Sequence, residues 1–270
     1  MRYKNWTEQE IDILKQNYGK ISRKDLIKLL PNKNIKPTSI TRYAWKLGLH
    51  GNMSIGRRLY SFNEHYFDKP NIENCYWAGF IAADGCLMNK SYGMQISLSI
   101  KDKCILENFK KHIDFSGPIS ERIRTDKKTG SVFNYCNISI WCANQWHNKL
   151  LEHWNITQNK TYTLIPPNNY IKNQLAYAFL IGFFDGDGCW REYNMNGYRK
   201  YSFGLSGTQP MMEWCKYQLN NLVPEDKFIN IPKRGNYWVY QACGQRAVKI
   251  KEQLNSIVDI PWKLERKWKN

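Results

Sequence analysis

Two short stretches of this sequence decide its fold: residues 77–85 read WAGFIAADG, and residues 180–188 read LIGFFDGDG. Both are apolar, and both carry small residues four positions apart, which lets two helix backbones approach closely. These small residues are Gly79 and Ala83 in the first stretch and Gly182 and Gly186 in the second. The pattern predicts two helices packed against each other at the joint between two halves of the molecule.

Each predicted helix ends in an Asp-Gly pair, at Asp84 and Asp187. An aspartate at a helix C-terminus is unfavourable because the helix dipole is already negative there, and a second carboxylate beside it adds like-charge repulsion. The same local rule broken twice indicates a functional site. A divalent cation would relieve the repulsion, and Mg²⁺ suits carboxylates together with waters and phosphate oxygens. We expect Gly85 and Gly188 to adopt the left-handed conformation that often closes a helix.

The chain repeats this plan from about residue 70 onward, because alternating apolar and polar residues follow each motif and predict β-strands with one buried face. Two copies of one unit, each an antiparallel sheet with helices on its other face, give an α+β fold. The apolar members of the clearest strands are Met94, Ile96, Leu98 and Ile100 in the first copy and Tyr201, Phe203 and Leu205 in the second. We also expect Ile119 and Ile123 to face inward from a further strand, opposite Arg122 and Arg124.

Residues 1–50 predict three short helices with the layout of a helix-turn-helix. Thr7 and Glu10 form a candidate capping box, Ser22 caps the second helix, and Pro37 opens the third. The third helix is expected to turn outward a set of residues suited to a major groove: Thr38, Ser39, Thr41, Arg42, Trp45 and Lys46. The alternative is a small helical bundle that binds protein.

Forty Lys and Arg residues against 23 Asp and Glu give a formal net charge of +17, spread along the chain. Such a field attracts polyanions, of which nucleic acid is the commonest. The alternative is the codon bias of an AT-rich genome, which favours Lys, Asn and Ile. On the first reading, the polar strand faces read DNA through Gln95, Ser97, Arg122, Arg124, Lys200, Ser202, Lys233 and Arg234.

The two motifs resemble the paired LAGLIDADG motifs of single-chain homing endonucleases, and their aspartates stand 103 positions apart, which suits two fused halves. The resemblance covers roughly residues 70–268. In addition, WTEQEIDILKQNY, DLIKLL and SITRYAWKLGL resemble Myb/SANT-like helix-turn-helix segments. We therefore expect a helix-turn-helix module over residues 1–50, a linker over 51–69 with Arg57 and Arg58 along phosphates, and half-domains over 70–165 and 166–270.

The resemblance implies two pseudo-symmetric αββαββα units that form a saddle over double-stranded DNA, in a protein that acts as a monomer. It implies a double-strand break at a long site, leaving short 3′ overhangs, with Mg²⁺ or Mn²⁺ as cofactor and with Ca²⁺ supporting binding without cleavage. The residues that it assigns to catalysis and metal binding are Asp84 and Asp187, with the backbone of Ala83 or Gly85 and of Gly186 as further metal ligands.

The family also tends to carry a basic residue near each metal site, and the comparable positions here are Lys160 and Lys267, with Lys263 a rival to the latter. The first motif departs from the family pattern, because Ala82 stands where the second motif has Asp185. The missing acid is not the metal ligand. We therefore expect the cleavage chemistry to survive, while an interface role of this acid is lost in one half.

Two other functions share this fold: an intron RNA maturase and a DNA-binding regulator that does not cleave. Retention of both Asp84 and Asp187 argues against the regulator, whose motif usually decays, and less against the maturase. No nucleotide fingerprint appears, so no nucleotide cofactor is expected. The most apolar run, 176–184, is half the length of a membrane span, so we expect no membrane segment.

The eight cysteines include no CxxC pair and no histidine partner at zinc-ligand spacing. We expect buried free thiols in the reducing interior of a bacterial or phage-infected cell, or of an organelle.

Overall fold

The computed structural model describes residues 6–49, 58–89, 92–126, 129–225 and 228–268. Its first three helices are α1 (Glu8–Asn17), α2 (Arg23–Leu29) and α3 (Pro37–Lys46). The capping box of Thr7 and Glu10 is present, and the Ser22 hydroxyl caps α2 by accepting the Asp25 amide. These helices enclose a small core of their own, which is formed by Leu14, Leu26, Leu30, Ile35 and Ile40.

The rest of the chain forms two units with the same element order. The first contains α4 (Ile72–Asp84), β1 (Gly85–Met88), β2 (Gly93–Ser99), α5 (Lys103–His112), β3 (Ser120–Thr125), β4 (Val132–Ile140) and α6 (Asn144–Trp154). The second contains α7 (Gln174–Asp187), β5 (Gly188–Met195), β6 (Tyr198–Gly207), α8 (Gln209–Leu222), β7 (Lys233–Arg234), β8 (Tyr237–Cys243) and α9 (Gln245–Ile257), and a short α10 (Glu265–Trp268) follows. The predicted α+β fold of two αββαββα units is confirmed.

Each unit holds one four-stranded antiparallel sheet, with orders β1-β2-β4-β3 and β5-β6-β8-β7. Residues that are direct partners across antiparallel strands lie on the same side of the sheet. Ile96 pairs with Ile138 on the buried side, while Gln95 pairs with Ser139 on the other. The alternation in the sequence therefore divides each sheet into an apolar face toward the helices and a polar face away from them.

The edge strand β3 departs from the expected pattern. Ile123 is 73% exposed, and β3 as a whole lies at the surface. Ile119, just before the strand, is partly buried against the core. Ile123 lies on the helix-facing side of its sheet, since Glu121 two residues before it pairs with the buried Cys136. It is nevertheless not buried there as expected, because β3 is the outermost strand.

The stretch from residue 58 to 69, which the sequence predicts as linker, is part of the first unit. Phe62 and Phe67 are buried in the main core, and both rings contact Trp146 edge-on. These two aromatic side chains anchor the segment, because each buries a large apolar area. Tyr60 and Tyr66 also pack against the same core. Arg57 lies outside the described residues.

Helices α4 and α7 meet backbone to backbone. A Cβ at Gly79 would lie 2.0 Å from the Phe179 carbonyl oxygen. At Gly182 a Cβ would lie 1.9 Å from the Tyr76 carbonyl oxygen. Only a residue without a side chain fits at either position, so the two glycines set the distance between the halves.

The glycines after the motif aspartates have a different role from the expected one. Gly85 and Gly188 have φ of −77° and −87°, so they are extended and not left-handed. The chain passes directly from each helix into a strand. A Cβ at Gly188 would lie 2.4 Å from the Phe184 carbonyl oxygen, and one at Gly85 would lie 2.7 Å from the Ile81 carbonyl oxygen. Close approach to the preceding helical turn therefore explains these glycines.

All eight cysteines are free, as expected, but they are not uniformly buried. Cys75, Cys136 and Cys215 lie in the core, Cys142 is half-buried, and the others are exposed. The exposed cysteines lie on polar strand faces or helix surfaces. The prediction from the sequence did not distinguish these positions from buried ones. Among the helices that the structure describes, none has both the length and the apolar character of a membrane span.

Candidate metal and nucleic-acid site

The two motif aspartates come together where α4 and α7 end side by side. A Cβ at Gly186 would lie 2.3 Å from the Ala83 Cβ and 3.3 Å from Asp84 Oδ2, so the Asp84 carboxylate lies against the residue before Asp187. Both carboxylates reach the surface. This is the arrangement that the sequence predicted for the two motif aspartates.

The surroundings of these carboxylates disfavour their charged forms. Loss of solvent raises the pKa of Asp84, and the Lys267 and Lys160 ammonium groups oppose that rise. Loss of solvent, together with repulsion from the Asp84 charge, raises the pKa of Asp187 to about 6. Two carboxylates that repel each other in a partly dry site favour a cation between them.

Two buried lysines lie at the same helix ends. Lys160 Nζ donates to the Ala83 carbonyl at 3.1 Å. Lys267 Nζ contacts four carbonyls at the end of α7, those of Phe184, Asp185, Gly186 and Gly188, at 2.6–2.9 Å. The rival Lys263 lies elsewhere, with its Nζ 3.5 Å from the Asn255 carbonyl.

Lys160 lies near the motif aspartate of the other half. Lys160 is bonded to the helix of the first half, yet Asp187 is the largest charge that opposes the burial-driven fall in its pKa. Lys160 and Asp187 also line one open depression together with Thr161, Ser206 and Tyr237. Residues of both halves therefore build this part of the site.

A further acid, Asp185, connects several residues around the contact between α4 and α7. Its carboxylate is buried and accepts hydrogen bonds from the Tyr76 hydroxyl at 2.8 Å, the Leu264 amide at 2.7 Å and Trp268 Nε1 at 2.6 Å. In the other half, Ala82 replaces Asp185 and Phe179 replaces Tyr76, so acid and hydroxyl are lost together. The missing acid is visible in the motif itself, whereas the paired loss of the hydroxyl shows only when Tyr76 and Phe179 are compared at the 103-residue offset.

The polar sheet faces carry most of the residues predicted to contact DNA. Gln95 and Ser97 project from the polar face of β2, and Arg122 and Arg124 project from the same side of β3. On the second sheet the same face holds Lys200, Ser202 and Arg234. Ser202 is buried, and its hydroxyl accepts from Gln241 Nε2 at 2.9 Å. Arg191 and Gln241, which were not predicted from the sequence, line the depression beside Asp187.

Two of the predicted DNA-contacting residues are placed differently. Lys233 pairs with Trp238 on the helix-facing side of its sheet, and its Nζ lies 5.0 Å from the centre of that ring. Arg58 is buried, where its guanidinium donates to Glu64 Oε2 at 2.7 Å and to the Cys142 carbonyl at 2.9 Å. The expectation that Arg58 lies along phosphates is wrong, because an internal acid and a carbonyl hold its guanidinium.

The third helix of the N-terminal module presents the expected outward set. Thr38, Arg42, Trp45 and Lys46 are exposed, and Trp45 is 75% exposed. Ser39 and Thr41 are partly exposed, and the Thr41 hydroxyl donates back to the Pro37 carbonyl at 3.2 Å. Arg42, Trp45 and Lys46 are therefore the long exposed side chains of this helix.

The residues at the helix ends have the chemistry to hold a divalent cation such as Mg²⁺. Within the described parts of the chain, no group of three or more His, Cys, Asp or Glu side chains is positioned to hold a metal. Mg²⁺ does not need one, since proteins usually hold it through one or two carboxylates plus waters and substrate phosphates. The Ala83 and Gly186 carbonyls already accept from the two lysines, and each keeps a second lone pair.

No family model matches this chain, and no curated protein matches it. Among solved structures, the homing endonuclease I-WcaI bound to its DNA recognition sequence matches with a TM-score of 0.57 and 16% identity, over 92% of this chain and 98% of that one. The I-LtrWI LAGLIDADG homing endonuclease bound to target DNA matches with a TM-score of 0.43 and 15% identity, over 69% of this chain and 85% of that one. The likeness to I-WcaI shows a shared fold.

Proposed function

We propose that this chain, which has the fold of the LAGLIDADG homing endonucleases, is a site-specific endonuclease that makes a double-strand break in a long DNA target. The observation that carries the proposal is the meeting of Asp84 and Asp187 at the ends of α4 and α7. Two pseudo-symmetric carboxylates are what the cleavage of two antiparallel strands requires, one for each strand.

The two polar sheet faces would hold the duplex as a saddle. Side chains such as Gln95 and Arg122 would contact base edges, while other Lys and Arg residues would bind phosphates and fix the register. The formal charge of +17 supplies a field that draws DNA to these faces. The chain would act as a monomer, since it carries both halves of the site.

Asp84 and Asp187 would hold Mg²⁺, with the Ala83 and Gly186 carbonyls as candidate further ligands. The bound metal would lower the pKa of a water molecule and stabilise charge on the phosphate. The oxygen of that water would add to phosphorus and lose a proton to solvent. The bond from phosphorus to the leaving oxygen would break, and the leaving oxygen would take up a proton from solvent. Cuts in both strands would leave short 3′ overhangs.

The N-terminal module would lengthen the footprint. Arg42 and Lys46 on α3 would enter a major groove next to the site that the saddle covers. Two separately folded binding surfaces on one chain raise affinity through their high effective concentration. The cut position would remain a property of the saddle.

A binding selection followed by cleavage tests this function. A randomised duplex library is incubated with the protein in Ca²⁺, bound DNA is sequenced, and the recovered site is then incubated with Mg²⁺, Mn²⁺ or EDTA. We expect one long sequence, intact in Ca²⁺ and EDTA and broken in both strands by Mg²⁺ or Mn²⁺. Selective binding without any break would favour a regulator, and preferential binding of structured RNA would favour a maturase.

A further inference from the structure

The two lysines at the site are unequal. Lys267 Nζ lies within 2.9 Å of four backbone carbonyls. An ammonium group has three protons, so these contacts use its full donor capacity. Lys160 Nζ contacts the Ala83 carbonyl at 3.1 Å, the one hydrogen-bond acceptor found for it among the described residues. Lys160 therefore has protons to offer to a bound substrate, and Lys267 does not.

The hydrogen bonds around Lys267 explain why its ammonium group lies against the end of α7. Asp185 holds the segment around this lysine at two points, through the Leu264 amide and through Trp268 Nε1. Arg266 forms two 2.8 Å hydrogen bonds with Asp102 of the first half. Hydrogen bonds to Asp185 and Asp102 thus fix the segment from residue 264 to 268. This places the Lys267 ammonium group at the end of α7.

The corresponding segment of the first half has none of these anchors. With Lys160 aligned to Lys267, Thr161 stands where Trp268 does and Asn159 stands where Arg266 does. Ala82, in place of Asp185, offers no carboxylate. Lys160 lies instead in a short 3-10 turn, Lys160–Tyr162, beside the open depression that it shares with Asp187.

We propose that Lys160 is a catalytic residue and that Lys267 is a structural cap for the end of α7, so that the strand served by Lys160 is cut first. This inference rests on the proposed endonuclease function. A Lys160 proton donated to a nonbridging phosphate oxygen stabilises the charge that develops as water adds to phosphorus. Lys267 instead satisfies carbonyls at a helix C-terminus, where a cation also opposes the helix dipole.

The test uses the full chain, with its two target strands labelled by different dyes, and compares Lys160→Met with Lys267→Met. Methionine keeps most of the chain length and removes the charge, so each variant is the matched control of the other. Strand-specific cleavage rates in Mg²⁺ and thermal unfolding in EDTA are both measured. Unfolding without metal gives a result that does not depend on activity.

In the wild type we expect one strand to be nicked before the other. Lys160→Met should slow that first strand by about 100-fold, as loss of one transition-state donor does, and should leave the Tm within about 2 °C. Lys267→Met should lower the Tm by about 5 °C or more, because it leaves buried carbonyls without a donor. Below its Tm, this variant should slow both strands by the same factor.

Equal Tm values for the two variants, or simultaneous cutting of both strands by the wild type, would overturn the inference. So would a strand-selective loss in Lys267→Met as large as that in Lys160→Met. A wild type that binds its DNA and cuts neither strand would count against the proposed function. The Tm comparison would then still decide whether Lys267 is the cap.

Discussion

Gly182 lies directly against Tyr76, so that a Cβ at Gly182 would stand 1.9 Å from the Tyr76 carbonyl oxygen. The same relation holds between Gly79 and Phe179 at 2.0 Å. Each pair is the pseudo-symmetry equivalent of the other, because 103 residues separate both Gly79 from Gly182 and Tyr76 from Phe179. This approach of two helix backbones brings Asp84 and Asp187 to one place.

Alanine at Gly182 should separate the halves. Its Cβ would meet backbone atoms, which cannot turn aside as a flexible side chain can, so we expect a loss of about 3 kcal/mol or more in the free energy of unfolding. Gly204→Ala is the matched control, since its Cβ would have no neighbour closer than 3.8 Å. Urea unfolding measures both. A stability loss no greater in Gly182→Ala than in the control would contradict the packing described for α4 and α7.

The buried carboxylate of Asp185 should contribute strongly to stability. Asp185→Ala leaves Tyr76, Leu264 and Trp268 with buried donors that lack an acceptor, and we expect a loss of about 3–5 kcal/mol.

Tyr76→Phe, which copies Phe179 of the other half, removes one of these three bonds and should cost about 1–2 kcal/mol. The exposed Tyr217→Phe serves as control and should change stability by less than about 0.5 kcal/mol. Denaturant unfolding of the three variants tests the ranking, which equal effects of Tyr76→Phe and Tyr217→Phe would refute.

His112 should make the protein less stable in mild acid. Trp77 Nε1 donates to His112 Nδ1 at 2.8 Å, which requires that nitrogen to be unprotonated. Burial lowers the pKa of His112 most, the Glu73 charge raises it, and the Lys111 charge lowers it. The net effect is a pKa below 6.5. The unfolded chain then takes up the proton first as pH falls. Stability due to neutral His112 is therefore present above about pH 6.5 and is lost as pH falls below it.

His112→Asn supplies an amide oxygen in place of Nδ1 and does not titrate. The Tm of the wild type should fall more steeply between pH 7 and pH 5 than that of His112→Asn. Parallel curves for the two proteins would show that His112 does not contribute to the pH dependence.

Arg42 and Arg58 should behave as opposites. Arg42→Ala should weaken DNA binding, reduce the slope of log affinity against log salt by about 1, and leave the Tm and the cut position unchanged. Arg58→Ala should lower stability by about 3 kcal/mol, because it leaves Glu64 and the Cys142 carbonyl without their buried donor.

Fluorescence anisotropy at several salt concentrations and thermal unfolding separate the two effects. A shifted cut in Arg42→Ala would refute the division of labour between the module and the saddle. An unchanged Tm in Arg58→Ala would contradict the structural role of that guanidinium.

The sequence predicted the features that follow from local pattern. Small residues at a four-residue spacing placed α4 against α7, period-two alternation placed the polar faces, and Thr7, Ser22 and Pro37 marked helix starts. Each of these signals lies within a few neighbouring residues, where steric and hydrogen-bonding rules act directly.

Features that depend on residues far apart in the chain were not predicted from the sequence. Arg58 is buried because the Cys142 carbonyl and the Phe62 ring enclose it, and Ile123 is exposed because it lies on the outermost strand of its sheet. The same applies to Lys267, whose position depends on Asp185 and Asp102 in other elements. Spacing alone could nominate Lys160, Lys263 and Lys267 but could not rank them.

Cleavage by aspartate variants tests whether Asp84 and Asp187 hold the metal that cuts DNA. Asp84→Asn, Asp187→Asn and the double variant are compared with the wild type on one labelled target, with Mg²⁺ to cut and Ca²⁺ to measure binding. Asparagine keeps the shape of the side chain and removes the charge that holds the metal. The account predicts retained binding in Ca²⁺, nicked or intact DNA with each single variant, and intact DNA with the double variant. Double-strand breaks by the double variant at the wild-type rate would contradict it.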